Sequence, residues 1–149
     1  MKGPLISICV CTYDRLEKLQ ACLASLVNQD FTVPYEIIVV DNDMLGSAES
    51  VFKHISASCP LCDEVMSYVI EPKQGIASAR NHAVSLAKGD YVAFIDDDEI
   101  ADPSWLQRLY DALIRNMADG VWGPVVAQFP EGFPEWQRVF FSRKRYPTG

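Results

Sequence analysis

Residues 91–98 read YVAFIDDD, an apolar run that passes directly into three aspartates. The apolar part, 91–95, has the composition of a strand that is covered on both faces of a parallel sheet. Carboxylates packed directly after such a strand repel one another and destabilise the fold unless a cation lies among them. The segment therefore predicts an α/β fold in which one strand ends in an acidic cluster.

The rest of the chain alternates runs of strand length with segments of helical periodicity. Further strands are predicted at 5–10, 37–40 and 68–70. Apolar residues recur at helical spacing across 16–27, 48–55, 76–87 and 106–117. Because strands joined by helices form right-handed βαβ units, we expect a mainly parallel sheet between two helical layers, which is a three-layer αβα Rossmann-like fold.

Three local features predict where individual elements begin or end. Asp102 followed by Pro103 is typical of a helix start, because the carboxylate caps backbone N–H groups and proline fits the first turn. Gly89 is the candidate for the residue that closes the helix over 76–87. Residues 121–129 have an extended pattern, which a proline confines to a sheet edge or interrupts.

Charge and hydropathy limit the classes of function. The chain has 149 residues and a net charge of −7, which argues against a general nucleic-acid binder because such proteins are normally basic. The N-terminal apolar run is too short for a transmembrane helix and lacks a signal-peptide cleavage pattern. We therefore expect a cytoplasmic protein.

Five cysteines, an odd number, favour reduced thiols. Cys9, Cys11 and Cys22 lie within apolar runs and are predicted to be buried. Cys59 and Cys62 have the spacing of a redox or zinc motif, but no second pair of ligands accompanies them. We interpret these two as loop cysteines.

Polar clusters follow three of the predicted strands, at 12–15, 41–43 and 96–98. In an open parallel sheet ligands bind beyond the carboxyl ends of the strands, so the clusters should lie along one edge. Residues 41–43 alone are about equally well explained by an ordinary turn, since Asp and Asn are common turn formers. The three clusters together predict a ligand site.

The aspartate triplet is the strongest of these features. Asp96 and Asp98 are alternate carboxylates with the hard oxygen ligands that Mn²⁺ or Mg²⁺ prefers, and phosphate oxygens would complete the shell. Asp97 would point elsewhere or hold a sugar hydroxyl. The alternative interpretation is a solvated acidic turn.

Arg80 lies near the start of a helix rich in small residues and is suited to bidentate phosphate binding.

An ordered set of motifs resembles the family 2 glycosyltransferases of the GT-A fold. Within that family the sequence is most similar to bacterial enzymes of exopolysaccharide assembly, including the succinoglycan type. The motifs are CTYDR at 11–15, DND at 41–43, GIASARN at 75–81, GDY at 89–91 and FIDDD at 94–98.

The resemblance extends over about residues 5–126 and implies a truncated GT-A fold. Residues 1–129 would form the nucleotide-sugar-binding domain, and residues 130–149 would be the start of an acceptor region or a tail. Thr12, Tyr13 and Asp41 would line the pocket for the base and ribose. The implied substrate-binding residues are Thr12, Tyr13, Arg15, Asp41, Asp43, Arg80, Asp96 and Asp97, and the implied metal ligands are Asp96 and Asp98.

The implied activity is transfer of a sugar from a nucleoside-diphosphate sugar, with UDP as the expected nucleotide. The acceptor would be a saccharide or a lipid-linked molecule in polysaccharide biosynthesis. Such enzymes use Mn²⁺ or Mg²⁺ and usually invert the anomeric centre with a carboxylate base well downstream of the donor half. Nothing after Asp119 has that acidic motif. No catalytic residue is therefore assigned, and the chain is expected to bind donor without transferring the sugar.

Two other functions remain open from the residues alone. A sugar nucleotidyltransferase shares metal carboxylates on an α/β sheet, but it would need a glycine-rich basic loop where 12–15 read TYDR. A non-catalytic nucleotide-sugar-binding module is the second alternative. The chain has no GxGxxG after the first strand and no Walker lysine loop, which disfavours a nicotinamide dehydrogenase or a P-loop NTPase.

The C-terminal residues 138–145 combine Phe140 and Phe141 with four basic side chains. This composition suits peripheral contact with anionic headgroups or a lipid-linked diphosphate at the inner face of the membrane. A disordered end is an equally good interpretation.

Overall fold

A parallel sheet lies at the centre of the computed structural model, which describes residues 6–58, 65–129 and 131–141. Its strands are β1 (Ile6–Thr12), β2 (Tyr35–Asp41), β3 (Met66–Ile70) and β4 (Tyr91–Asp96). They lie in the order β3-β2-β1-β4, and each neighbouring pair is parallel. The predicted α/β fold with a parallel sheet is therefore confirmed.

Helices cover both faces of this sheet, which confirms the three-layer arrangement. The helices of the described residues are α1 (Leu16–Leu26), α2 (Glu49–Ser58), α3 (Ile76–Leu86), α4 (Trp105–Asn116) and α5 (Glu135–Phe141). Residues of α1, α2 and α4 share one core with the sheet, and residues of α3 share the other.

The core on the α1 side is the larger of the two. Ile8 and Val39 of the sheet lie in it with Leu23 of α1 and Leu106 of α4, and each of these side chains is almost completely buried. Complete burial of one such side chain contributes roughly 1.5–3 kcal/mol. This core therefore holds α1 and α4 firmly against the sheet.

The core on the α3 side is made with small side chains. Ala79 and Ala83 of α3 pack against Cys9, Ile38 and Val40 of β1 and β2. Because alanine leaves little space between a helix and a sheet, a larger side chain here would force the two apart at a cost of about 1–3 kcal/mol. The packing places the start of α3 beside the ends of β1 and β2.

Strand β4 differs from the prediction of a strand covered on both faces. Val92 and Phe94 are 39% and 44% exposed, whereas Ile95 on the opposite face is 5% exposed. Within the described residues β4 pairs only with β1, and the buried alanines of α3 pack on β1 and β2 instead. The prediction was wrong for one face because β4 lies at the edge of the sheet.

Two predicted helix boundaries were also wrong. Helix α4 begins after Ser104, two residues later than expected, because Asp102 accepts hydrogen bonds from Ser104 N–H (3.0 Å) and Ser104 Oγ (2.7 Å) in a turn before the helix. Helix α3 ends at Leu86, and the next residue, Ala87, is extended. Gly89 instead donates its N–H to Ser7 Oγ at 2.9 Å, so it joins the loop to β1.

The extended segment predicted at 121–129 has no strand hydrogen bonds in the structure. Trp122 is 95% exposed, and Pro124 lies in the middle of the segment, where it cannot donate to a ladder. In the part of the chain that the structure describes, no helix is both long and apolar enough to cross a bilayer.

Candidate functional site

The carboxyl ends of three strands meet at one edge of the sheet, as predicted. Thr12 of β1 is in register with Asp41 of β2, and Cys11 is in register with Asp96 of β4. Their side chains divide into two groups by burial. The site floor is the buried group Thr12, Asp41, Asn42 and Asp97, and the site rim is the exposed group Arg15, Lys18, Arg80, Asp96 and Asp98.

Asp97 connects the floor to the loop after β1. Its carboxylate accepts a hydrogen bond from Thr12 Oγ1 at 2.8 Å and one from Arg15 Nη1 at 3.2 Å. Asp97 is 4% exposed. Both oxygens therefore already have protein donors, and a role for Asp97 in holding a sugar hydroxyl stays a prediction.

Asp96 and Asp98 point outwards on either side of Asp97. Asp96 Oδ1 lies 3.0 Å from Arg80 Nη2, and Asp98 Oδ2 lies 3.6 Å from Lys18 Nζ. The two carboxylate side chains are 62% and 40% exposed. Exposed ion pairs contribute about 0–1 kcal/mol, so these carboxylates can exchange their partners for a ligand.

The donor atoms of this pair fit a divalent cation of the magnesium type. Mg²⁺ and Mn²⁺ prefer oxygen ligands, and Mg²⁺ is usually bound by one or two carboxylates together with waters and substrate phosphates. Over residues 6–58, 65–129 and 131–141, no group of three or more His, Cys, Asp and Glu side chains forms a metal site. Within these residues, Asp96 and Asp98 would hold such an ion together with further oxygens, such as those of water or of a substrate phosphate.

Asp41 is the most deeply buried acid of the floor, with 0% exposure. Its Oδ1 accepts from Asp43 N–H at 2.9 Å, and its Oδ2 accepts from Ala48 N–H at 2.8 Å and Tyr68 Oη at 2.7 Å. Burial raises the pKa of Tyr68, and the hydrogen bond from its phenol to Asp41 raises it further. Asp41 therefore anchors the loop after β2. It would contact a nucleotide base only if one of these donors moved away.

The remaining predicted contacts lie at the outer border of the site. Tyr13 is 51% exposed in the loop after β1. Asp43 is half-buried and accepts a hydrogen bond from Leu45 N–H at 3.0 Å. The guanidinium of Arg80 lies 5.6 Å from the centre of the exposed Phe94 ring, which supports it beside Asp96.

An open groove of about 1210 Å³ borders the acidic cluster. It runs between β4 and residues 119–128, and its lining includes Phe94, Asp96, Asp98 and Trp122. The rim carboxylates are therefore accessible from a space large enough for a sugar nucleotide.

Three residues of the site were not singled out from the sequence. Lys18 lies one helical turn beyond Arg15, a spacing that would have identified it. Tyr68 lies on β3, where its phenol carries no sequence signal of a partner on β2. Asn42 belongs to the polar cluster at 41–43, yet its side chain binds the backbone of residues 71–75.

Within the described residues Cys9 and Cys22 are buried as predicted, whereas Cys11 is half-buried. Cys9, Cys11 and Cys22 carry free thiols, and burial raises the pKa of Cys9 and Cys22 to about 12 and that of Cys11 to about 11. All three are protonated at neutral pH and are not nucleophiles. Cys59 and Cys62 lie outside the described residues.

The basic aromatic tail lies mostly outside the described residues as well. Of its charged groups, Arg138 lies 3.4 Å from Glu135 and 5.4 Å from the centre of the Phe129 ring. Membrane contact through the tail stays a prediction.

Comparison with known sequences supports the resemblance noted above. The sequence model described as Glycosyl transferase family 2 matches residues 7–149. Succinoglycan biosynthesis protein ExoM of Rhizobium meliloti is 36% identical over 135 residues, which are 89% of this chain and 42% of that protein. Glucosyl-dolichyl phosphate glucuronosyltransferase of Haloferax volcanii is 34% identical over 137 residues, 87% of this chain and 42% of that protein.

Solved structures share the fold. A mannosyltransferase from Pyrobaculum calidifontis in complex with GDP-Man and Mn²⁺ has a TM-score of 0.67 at 25% identity, covering 74% of this chain and 32% of that one. S. aureus TarS has a TM-score of 0.66 at 23% identity, covering 83% of this chain and 23% of that one. The chain thus spans less than half the length of these relatives.

Proposed function

Because the chain belongs to glycosyl transferase family 2, we propose that its strand-end site binds the nucleoside-diphosphate sugar of a metal-dependent, inverting glycosyltransferase. The observation that carries this proposal is the division of the aspartate triplet. Asp97 is buried and hydrogen-bonded, while Asp96 and Asp98 are exposed and pair with the exposed cations Arg80, Arg15 and Lys18.

Charge explains how the site would hold a diphosphate. Asp96 and Asp98 would hold a divalent ion, which when bound stabilises the charge on the leaving diphosphate as a Lewis acid. Arg15, Lys18 and Arg80 lie within 3.6 Å of rim carboxylates. Once the carboxylates have another partner, these cations can donate to phosphate oxygens and neutralise the charge that develops there.

The floor would determine the position of the nucleoside. Thr12 and Asp41 form the buried side of the strand-end site. The exposed ring of Tyr13 lies at the border of the site, where it could stack on a nucleotide base. UDP remains the predicted nucleotide on the grounds of resemblance, with Asp41 accepting from the ring N–H. The mannosyltransferase that shares the fold is in complex with GDP-Man, so guanosine is the competitor to test.

The acceptor side of the proposal rests on the relatives. The names of the two curated relatives place them in succinoglycan biosynthesis and in glucuronosyl transfer to a glucosyl-dolichyl phosphate. A saccharide or lipid-linked acceptor in polysaccharide or glycoconjugate biosynthesis is therefore proposed for the protein to which this site belongs. Inversion, and a base carried by residues beyond the donor half, belong to the same proposal.

The test is calorimetric titration of the chain with UDP, GDP and ADP, each with and without Mn²⁺. We expect UDP to bind most tightly and only in the presence of Mn²⁺. Asp98→Ala should weaken that binding by at least about tenfold, the effect of losing roughly 1.4 kcal/mol. Asp111→Ala, an exposed acid on α4, is the control and should bind as the wild type does.

Metal-independent affinity would contradict the role of Asp96 and Asp98, and tighter binding of ADP than of UDP or GDP would contradict the choice of donor. A radiolabelled-donor transfer assay on the longest natural form of the chain then separates a transferase from a binding module. Product that retains the anomeric configuration of the donor would reject inversion.

A further inference from the structure

One amide side chain fastens the loop between β3 and α3. Asn42 Nδ2 donates to Glu71 O at 2.8 Å and to Lys73 O at 3.0 Å, and Asn42 Oδ1 accepts from Gly75 N–H at 2.7 Å. Asn42 is 7% exposed, so water does not replace these bonds easily. The loop 71–75 is thus tied to the end of β2.

Few side chains can make this set of bonds. An amide offers two N–H donors and a carbonyl acceptor, whereas a carboxylate offers acceptors only. Asp at position 42 would direct an anion at the carbonyl oxygens of Glu71 and Lys73. The two carbonyls and the incoming charge would repel one another, and the loop would have to move.

The loop has a second attachment and an unusual exit. Glu71 N–H donates to Asp41 O at 2.8 Å, and within the loop Glu71 Oε1 accepts from Lys73 N–H at 2.8 Å. Gly75 enters α3 with φ of 133°, which side chains other than glycine rarely adopt. The conformation of the loop therefore depends on Asn42 and on Gly75 together.

Asn42 also joins the loop to the rest of the site. Its backbone N–H donates to Thr12 O at 2.9 Å, at the end of β1. The loop that it holds leads into α3, which carries Arg80 to Asp96 at 3.0 Å. One residue thus links the floor, the loop and the helix that presents the Arg80 cation.

We propose that Asn42 is a positioning residue of the donor site: it holds residues 71–75 in the conformation against which the nucleoside end of the donor lies, without contacting the donor itself. This inference rests on the proposed function. The loop borders the same edge as Asp41, whose carbonyl oxygen accepts from Glu71 N–H at 2.8 Å, and α3 is held independently by its packing on β1 and β2. Loss of the amide should therefore disturb donor binding more than it disturbs the fold.

The first test is Asn42→Asp with Asn116→Asp as the matched control. Asn116 also donates from its amide to a carbonyl, that of Ala112, but it lies exposed at the end of α4. Titration with UDP and Mn²⁺, with GDP in parallel, should give at least about tenfold weaker binding for Asn42→Asp. Amide exchange of Gly75, followed by NMR, should accelerate by a similar factor. Asn116→Asp should change neither quantity.

A second pair of variants keeps the test decisive if Asn42→Asp does not fold. A Cβ at Gly75 would meet no atom within 4 Å, so Gly75→Ala acts only through the backbone conformation of the loop. Gly132→Ala is the matched control, because Gly132 also has a positive φ, of 79°, a Cβ there would meet no atom within 4 Å, and the residue does not line the groove. We expect weaker UDP binding for Gly75→Ala and unchanged binding for Gly132→Ala.

Unchanged UDP affinity in a folded Asn42→Asp or Gly75→Ala chain would overturn the inference, even if Gly75 exchanged faster, because the loop would then be structural only. If the wild type binds neither UDP nor GDP, the proposed function fails and this inference fails with it. The two failures are distinguishable, since only the second is seen in the unmutated chain.

Discussion

The floor and the rim of the site each contain two aspartates, but these two pairs differ in what holds them. Asp41 and Asp97 of the floor are buried and accept hydrogen bonds from neighbouring loops and strands. Asp96 and Asp98 of the rim are exposed and face cations on flexible stems. Because the net contribution of a charge depends on its burial and on fixed partners, Asp41 and Asp97 should contribute more to stability than Asp96 and Asp98, which remain available to a ligand.

The largest effect is expected at Asp41. Asp41→Ala would remove a buried acceptor and leave Asp43 N–H, Ala48 N–H and the Tyr68 phenol without it. We expect the free energy of unfolding to fall by about 3–5 kcal/mol, measured by urea denaturation. Asp41→Asn keeps the shape and one acceptor, and should lose less. A loss below about 1 kcal/mol for Asp41→Ala would remove the distinction between floor and rim.

The next effect compares neighbouring residues of one triplet. Asp97→Ala should lower the free energy of unfolding by about 2 kcal/mol, because Thr12 Oγ1 and Arg15 lose their acceptor. Asp98→Ala should change it by less than about 0.5 kcal/mol, since its pairs are exposed. Equal losses in the two variants, in the same denaturation experiment, would show that burial does not separate them.

A smaller effect is expected at Tyr68 and depends on pH. Tyr68→Phe removes the phenol that donates to Asp41, and should lower the free energy of unfolding by about 1 kcal/mol at pH 7. The pKa of Tyr68 is raised above its usual value of 10.0, first by burial and then by that bond. The neutral phenol therefore stabilises the folded protein fully below pH 10, and this contribution is lost as the pH rises through the folded pKa.

The wild type should accordingly lose stability more steeply above pH 10 than Tyr68→Phe does. Ionisation of Cys9 and Cys22, whose pKa values burial raises to about 12, contributes to alkaline destabilisation in both proteins and so cancels in the comparison. Parallel stability curves from pH 8 to about pH 11 would contradict the raised pKa of Tyr68.

The smallest effect on stability is expected at the rim residue Lys18. Lys18→Met keeps the apolar stem and removes the charge that lies 3.6 Å from Asp98. The free energy of unfolding should change by less than about 0.5 kcal/mol. Affinity for UDP with Mn²⁺ should nevertheless fall, and the difference from wild type should shrink as salt is added. A stability loss above about 1 kcal/mol would place Lys18 with the floor.

Local composition was a good guide to the strands at the centre of the sheet. The apolar runs of β1 and β2 predicted coverage on both faces, and Cys9, Val10, Ile38 and Val39 are buried on either side. β4 has a similar run, yet Val92 and Phe94 are exposed because the strand lies at the edge. Composition reports what a strand can bury, whereas the position in the sheet depends on the path of the whole chain.

Residue preferences were also insufficient to predict where a helix begins. The pair of Asp102 and Pro103 is a strong start signal, but Ser104 offers both N–H and hydroxyl to the Asp102 carboxylate first. The resulting bonds lower the pKa of Asp102 and delay the helix to Trp105. Competing local hydrogen bonds of similar energy are not resolved by residue preference alone.

The site itself divides between sequence and tertiary structure in the same way. Strand periodicity and the order of the polar clusters were sufficient to bring Thr12, Asp41 and Asp96 to one edge, because parallel strands joined by helices all end on the same side. Alternation along the chain predicted that Asp96 and Asp98 act together and that Asp97 points elsewhere or holds a sugar hydroxyl. Only the folded chain, by bringing Thr12 Oγ1 and Arg15 to Asp97, decided which donors hold that carboxylate in a buried position.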